Sequence, residues 1–190
     1  MTHTFIHPIE ADHLPANSGG KAAQLHALMQ MDVTVPRTFV CVWDAYDRHR
    51  AGETAVLDQL RWELTQIAAP GGAYAVRSSA NVEDGHSFSF AGQFESVLHV
   101  QGVDALIPAI ERVWQSADAL DLDAYADLAN VAKTQMRMAA IIQEMVEPVV
   151  SGVSFSKNPM TGLNEIVVEA VAGSGESLMQ AGHTPDRWVH

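Results

Sequence analysis

Two apolar periodicities alternate along most of this chain, and only one continues to its end. Helical spacing marks Ala22, Ala23, Leu25, Leu28 and Met29, which follow Asn17-Ser18-Gly19-Gly20-Lys21. It recurs over Asp44–Arg50 and over Thr54–Ala68, where Leu57, Leu60, Trp62, Leu64 and Ile67 form an apolar stripe. It appears last over Val103–Ala117, with Leu106, Ile107, Ile110, Val113 and Trp114 expected to face inward. Extended segments lie between: Val33–Val42, Ala73–Arg77 and Phe94–Val100, rich in β-branched and aromatic residues. From Met138 onward the helical pattern stops. Met138–Val146, Gly152–Ser156 and Glu165–Val171 read as three strands with short turns, the last punctuated by Pro159–Gly162. Helices and strands first, then a run of strands, favours an α/β or α+β fold with mixed sheets and flanking helices over a regular βαβ domain.

The local signals refine that picture. Asn17 or Ser18 is placed to cap the first helix, and Gly19 and Gly20 allow close backbone approach. Residues 78–92 read as a polar loop or hairpin, and the aspartate-rich stretch 118–127 as a solvated helix edge. His3 and His7 sit on a terminus expected to be loose. The final Asp186-Arg187-Trp188-Val189-His190 reads as the opening of a strand.

Composition narrows the function classes. A chain of 190 residues with 47 % apolar side chains can bury a substantial core. One cysteine excludes an internal disulfide framework and a cysteine-rich zinc site. With 11 basic against 23 acidic residues the formal net charge is −12, which disfavours a general nucleic-acid surface but allows one locally basic pocket. The first residues show neither a basic n-region nor an apolar h-region, and no apolar run is long enough for a membrane span. A cytoplasmic location is the expectation.

Four segments carry candidate chemistry, each with a plainer alternative. Gly19-Gly20-Lys21 at a helix start offers N–H groups and one ammonium to a phosphate, or is simply a helix start with a solvated lysine. It is not a Walker A loop, because Ala22 replaces the hydroxyl residue that would hold magnesium. Arg77 ends an apolar strand, and its donor fork suits phosphoryl oxygens or an ion pair with Glu83 or Asp84. Ser87–Gln93 is either a loop that lies over a triphosphate or an ordinary hairpin turn. Gln143-Glu144-Met145-Val146 ends an apolar strand where a flat purine could dock, or where a core strand merely stops. Gly173-Ser174-Gly175 is not a nucleophile elbow, since Ala172 stands where that motif needs glycine. The nine histidines show no metal-binding spacing within a helix.

The wording and order of these segments are more telling than any one alone. Tyr74-Ala75-Val76-Arg77-Ser78-Ser79-Ala80-Asn81-Val82-Glu83-Asp84, followed by Ser89-Phe90-Ala91-Gly92-Gln93, resembles the nucleotide-binding ATP-grasp module of phosphoenolpyruvate synthases and pyruvate, phosphate dikinases. Gly19–Leu25 with Val35-Pro36, Gln143–Val146, Ser151–Pro159, Val168–Ala170, Gly173–Glu176 and Thr184–Asp186 match the same module in the same order, from about Asn17 to His190.

The resemblance implies that the module binds Mg-ATP between subdomains and passes the β-phosphoryl group to a histidine on a separate swivelling domain, releasing AMP. The histidine then serves pyruvate or, in related phosphotransferases, rifampin, on an acceptor-binding domain. Carried onto this chain, it implies that Lys21 and Arg77 hold phosphate oxygens and stabilise the transfer. It places Gly92 over the triphosphate with Ser96 as a hydroxyl contact, and Gln143, Met145 and Val146 around adenine. It puts Glu169 and Glu176 near the nucleotide cleft.

The resemblance further divides the chain into a first subdomain at 1–100, a smaller second one at 101–163, and a return to the first at 164–190, incomplete at its C-terminal side. The expected Mg²⁺ ligands and the phosphocarrier histidine motif are not found in this sequence, and the usual Gly-Leu-Gly-Glu reads Gly173-Ser174-Gly175-Glu176. Two functions are therefore expected: the ATP-binding N-terminal part of a dikinase-type phosphotransferase, or a stand-alone nucleotide-binding or regulatory module without catalysis.

Overall fold

The computed structural model describes residues 4–81, 94–118, 136–175 and 184–190. The described residues form an α/β structure of two compact units, Met1–Met145 and Val146–His190.

The first unit is built on five strands. In chain order they are β1 (Ile6–Pro8), β2 (Thr38–Cys41), β3 (Ala73–Ala80), β4 (Ser96–Gln101) and β5 (Met138–Glu144). The order across the sheet is β1-β2-β5-β3-β4, and every pair is antiparallel. Central β5 explains the sheet's two-sided burial. Its residues alternate across the pleat, so Met138, Ala140 and Ile142 enter one core while Ala139 and Ile141 enter another. A strand covered on both faces must be apolar throughout, which is why Met138-Ala139-Ala140-Ile141-Ile142 contains no polar residue.

Three helices, α2 (Trp43–Arg50), α3 (Ala55–Ile67) and α4 (Val103–Asp118), belong to the larger core. Leu106, Ile107, Ile110, Val113 and Trp114 of α4 are all buried there, as helical spacing predicts. In α3 the buried stripe is Val56, Leu60 and Leu64, whereas Trp62 is 65 % exposed. Two residues are about 200° of helical rotation, so Trp62 lies opposite the face of Leu60 and Leu64, and its expected place in the stripe is corrected. The same helix carries a buried carboxylate. Glu63 is 6 % exposed and accepts the backbone N–H of Phe5 at 3.0 Å and of Ile6 at 2.7 Å, together with the Gln59 amide at 2.8 Å. This carboxylate ties β1 to the core, so the N-terminal segment from Phe5 on is anchored, not loose.

The opposite face carries α1 (Gly20–Gln30), whose Ala22 packs with Ile9, Val40, Ala139 and Ile141, flanked by Leu25 and Met29. A single 3₁₀ turn at Ala16–Ser18 precedes it.

The second unit is a three-stranded antiparallel sheet of β6 (Val150–Phe155), β7 (Val167–Ala172) and β8 (Asp186–Val189), in that order. Gly152 is required there, because a Cβ would stand 2.6 Å from the Glu169 carbonyl oxygen. The β6–β7 turn is organised by buried Asn158. Its Oδ1 accepts the N–H of Met160 at 3.0 Å and of Thr161 at 3.3 Å, and its Nδ2 donates to Glu165 at 2.8 Å. The C-terminal segment is the strand its sequence announces. No helix among the described residues is long and apolar enough to cross a membrane.

Candidate functional site

The site begins with the period-2 geometry of β3. Directly paired residues on neighbouring strands share a face. Arg77 pairs with Ile141 on one side and Ser96 on the other, and Ile141 pairs with Val40. Ile141 and Val40 belong to the core beneath α1, so Arg77 and Ser96 lie on the α1 face of the sheet. One row along the strands, Gln143 pairs with Ala75 and Thr38 on that same face. Its amide nitrogen donates to Thr38 Oγ1 at 2.9 Å. In the other direction, Ser79 follows Arg77 by two residues and therefore returns to the α1 face.

The N-terminal end of α1 sits on this row. Lys21 Nζ donates to the Ser78 carbonyl at 3.1 Å, and the Ser78 hydroxyl lies 3.4 Å away. One candidate cation is thus fastened to the residue that follows the other. Arg77 is half-buried, and among the described residues its guanidinium has no hydrogen-bond or ion-pair partner. The alternative partners Glu83 and Asp84 lie outside the described residues.

Neither Asn17 nor Ser18 caps α1. The cap position is Gly19, at φ 79°, and the helix receives no hydrogen bond from its own cap side chain. The acceptor comes instead from the sheet, where Ser79 Oγ takes the N–H of Ala22 at 3.0 Å. Ser78, Ser79 and Ala80 belong to β3, so the expected loop starts later, and the strand brings a fully buried hydroxyl to the helix. Sequence reasoning missed this contact; its one local signal is that Ser79 shares the period-2 face of Arg77. Ser18 Oγ is buried with no partner among the described residues.

The remaining expected residues are distributed as follows. Met145 follows β5 and its N–H donates to the Ala73 carbonyl at 2.9 Å. Val146 and Glu169 belong to the second unit, where Val146 is exposed and Glu169 stands on β7 with an oxygen 3.5 Å from Arg187 Nε. Gly92 and Glu176 lie outside the described residues. Among the described residues no three His, Cys, Asp or Glu side chains gather to hold a metal ion.

Two cations and an alternating run of polar groups on one sheet face suit an anionic, elongated ligand. Comparison with known proteins gives that chemistry a family. Residues 54–190 match the family model described as pyruvate phosphate dikinase, AMP/ATP-binding domain. The chain belongs to this family.

Its relatives share the same stretch. A phosphoenolpyruvate synthase of Aeropyrum pernix is 31 % identical over 97 % of the chain, which covers 28 % of that protein. The prodigiosin synthesizing transferase PigC of Serratia marcescens is 31 % identical over 100 % of the chain and 24 % of its own length. A rifampicin phosphotransferase of Streptomyces sviceus is 31 % identical over 88 % of the chain and 24 % of its own length. The chain thus spans about a quarter of the length of these relatives. The dikinase AMP/ATP-binding domain is the part it represents, and ATP is among the nucleotides that such a domain binds.

Proposed function

We propose that this chain grips the phosphates of ATP with Lys21 and Arg77, as the N-terminal part of a dikinase-type phosphotransferase. The observation that carries this reading is the tether between Lys21 and Ser78, which joins the helix bearing one cation to the strand position next to the other. Phosphoryl transfer asks the protein chiefly for positioning and charge stabilisation; the tethered Lys21 supplies both, and Arg77 adds the second charge. Along β3 and β5, the Gln143 row and the Ser79 row are four residues apart, or about 13 Å. This orders a base end, with Gln143 and Met145 as adenine neighbours, and a phosphate end at Lys21 and Arg77. Ser96, paired with Arg77, gives a hydroxyl contact on the same face.

Magnesium accompanies the ATP, with its ligands supplied by polypeptide beyond this chain. The parent protein passes the β-phosphoryl group to a histidine on a separate swivelling domain, which then serves an acceptor-binding domain. The protein acts in the cytoplasm. The 1–100, 101–163 and 164–190 division is the subdomain plan that goes with this reading.

The test is an AMP-release assay. In the longer parent protein, Arg77→Ala is expected to reduce ATP-dependent AMP formation at least about 100-fold, the scale of one lost transition-state donor, while the unfolding midpoint moves little. The 190-residue chain alone is expected to bind Mg-ATP weakly and release no AMP. Unchanged AMP formation in the Arg77→Ala parent refutes the assigned phosphate role.

A further inference from the structure

The phosphate-end cations stand on different elements, Lys21 on α1 and Arg77 on β3, and their separation must be set by whatever joins helix to strand. Three observations converge on one joint. The Ser79 hydroxyl, fully buried, accepts the N–H of Ala22, the residue after Lys21. Gly19, immediately before the helix, lies so close to the same serine that a Cβ would come within 2.1 Å of the Ser79 carbonyl oxygen and 2.5 Å of its Oγ. Gly19 also holds φ at 79°, where a side chain is strained. The helix start is thus pressed onto β3 as closely as backbone permits, and held there by a hydroxyl from the strand.

We infer that Ser79 and Gly19 form a positioning joint that fixes Lys21 at the distance from Arg77 needed to engage a triphosphate. This inference rests on the phosphate roles proposed for Lys21 and Arg77. Ser79 acts through its neighbours: it is two residues from Arg77 on the same strand face and one hydrogen bond from the residue beside Lys21. A hydroxyl at this position does two things at once. It satisfies a helix N-terminal donor that would otherwise lack an acceptor, and it sets the register of α1 against the strand. Its loss frees the helix start to shift, and a cation displaced from a fixed pair loses the preorganised contact to phosphate while the base end is undisturbed.

The experiment compares ATP and AMP dissociation constants by calorimetry on the 190-residue chain and its variants. Lys21→Ala and Arg77→Ala test the underlying reading: each must weaken ATP selectively. Ser79→Ala is expected to weaken ATP about fivefold, the equivalent of one net hydrogen bond, and to leave AMP within about twofold. In the Lys21→Ala background Ser79→Ala is expected to add no further loss, because residues that act as one unit are not additive. Gly19→Ala, which wedges the joint from the other side, is expected to reproduce the ATP-selective loss. Should Ser79→Ala fail to fold, Ser79→Cys, close in size with a weak acceptor, reads the same selective loss at smaller amplitude.

If Lys21→Ala and Arg77→Ala leave ATP affinity unchanged, the phosphate reading fails and the joint falls with it. If they weaken ATP while folded Ser79→Ala or Ser79→Cys binds ATP like the unaltered chain, the joint alone is overturned. Equal weakening of ATP and AMP by Ser79→Ala, additive with Lys21→Ala, also overturns it by reducing Ser79 to a structural contact.

Discussion

Removing the Glu63 carboxylate should cost more stability than any surface change in this protein. It is buried, and it accepts the N–H groups of Phe5 and Ile6 and the amide of Gln59. Phe5 and Ile6 are buried too, so water cannot replace the lost acceptor without opening the edge of the sheet. Each stranded buried donor costs about 1–3 kcal/mol. Two of them, partly relieved by movement of β1, put Glu63→Ala at about 2–4 kcal/mol. Glu63→Gln keeps one acceptor oxygen and loses the charge, which places it at about 1–2 kcal/mol. With a urea slope of about 2 kcal/mol/M, the alanine variant should unfold about 1–2 M earlier. Amide exchange at Phe5 and Ile6 should rise toward that of a frayed end while β5 stays protected. A Glu63→Ala midpoint within about 0.5 M of the unaltered chain, with protected Phe5 and Ile6 amides, would refute the clamp.

Three other outcomes follow from the same structure. Trp62→Ala, at an exposed α3 position, should change stability by no more than about 0.5 kcal/mol, whereas buried Trp114→Ala should cost about 3–5 kcal/mol by denaturant titration. Burial, with a smaller contribution from nearby Glu63, pushes the Cys41 thiol well above its ordinary value. The thiolate is therefore scarce, and alkylation should be negligible in the folded chain even at mildly alkaline pH, appearing only with denaturant; rapid labelling of folded protein would contradict this burial. Gly152→Val should destabilise the second unit by about 1–3 kcal/mol through collision with the Glu169 carbonyl, read as early loss of β7 amide protection.

What the sequence made legible was local, and what it hid was long-range. The α4 stripe and the apolar run of β5 obey their periods, so both could be read directly. The same arithmetic excludes Trp62 from the buried face of α3, because it lies two residues from both Leu60 and Leu64 and hydrophobicity alone does not place a side chain. The anchoring of β1 had no local signal and the cap on α1 only the shared strand face of Ser79 and Arg77, because Glu63 and Ser79 supply their acceptors from 57 or 58 residues away. A polar residue in a helix stripe, or a serine after a strand arginine, announces its partner only when the fold is known. The candidate cations were legible from motif order, and Arg77 and Ser96 fall on one face by pairing register. The tether between Lys21 and Ser78 needed the structure.

The most direct measurement is a crystal structure of this chain with a non-hydrolysable ATP analogue. Phosphate oxygens are expected within about 2.7–3.0 Å of both Lys21 Nζ and the Arg77 guanidinium, with the purine toward Gln143 and Met145. A nucleotide bound with its phosphates away from both cations, or with the base at the Lys21 end, would contradict this placement.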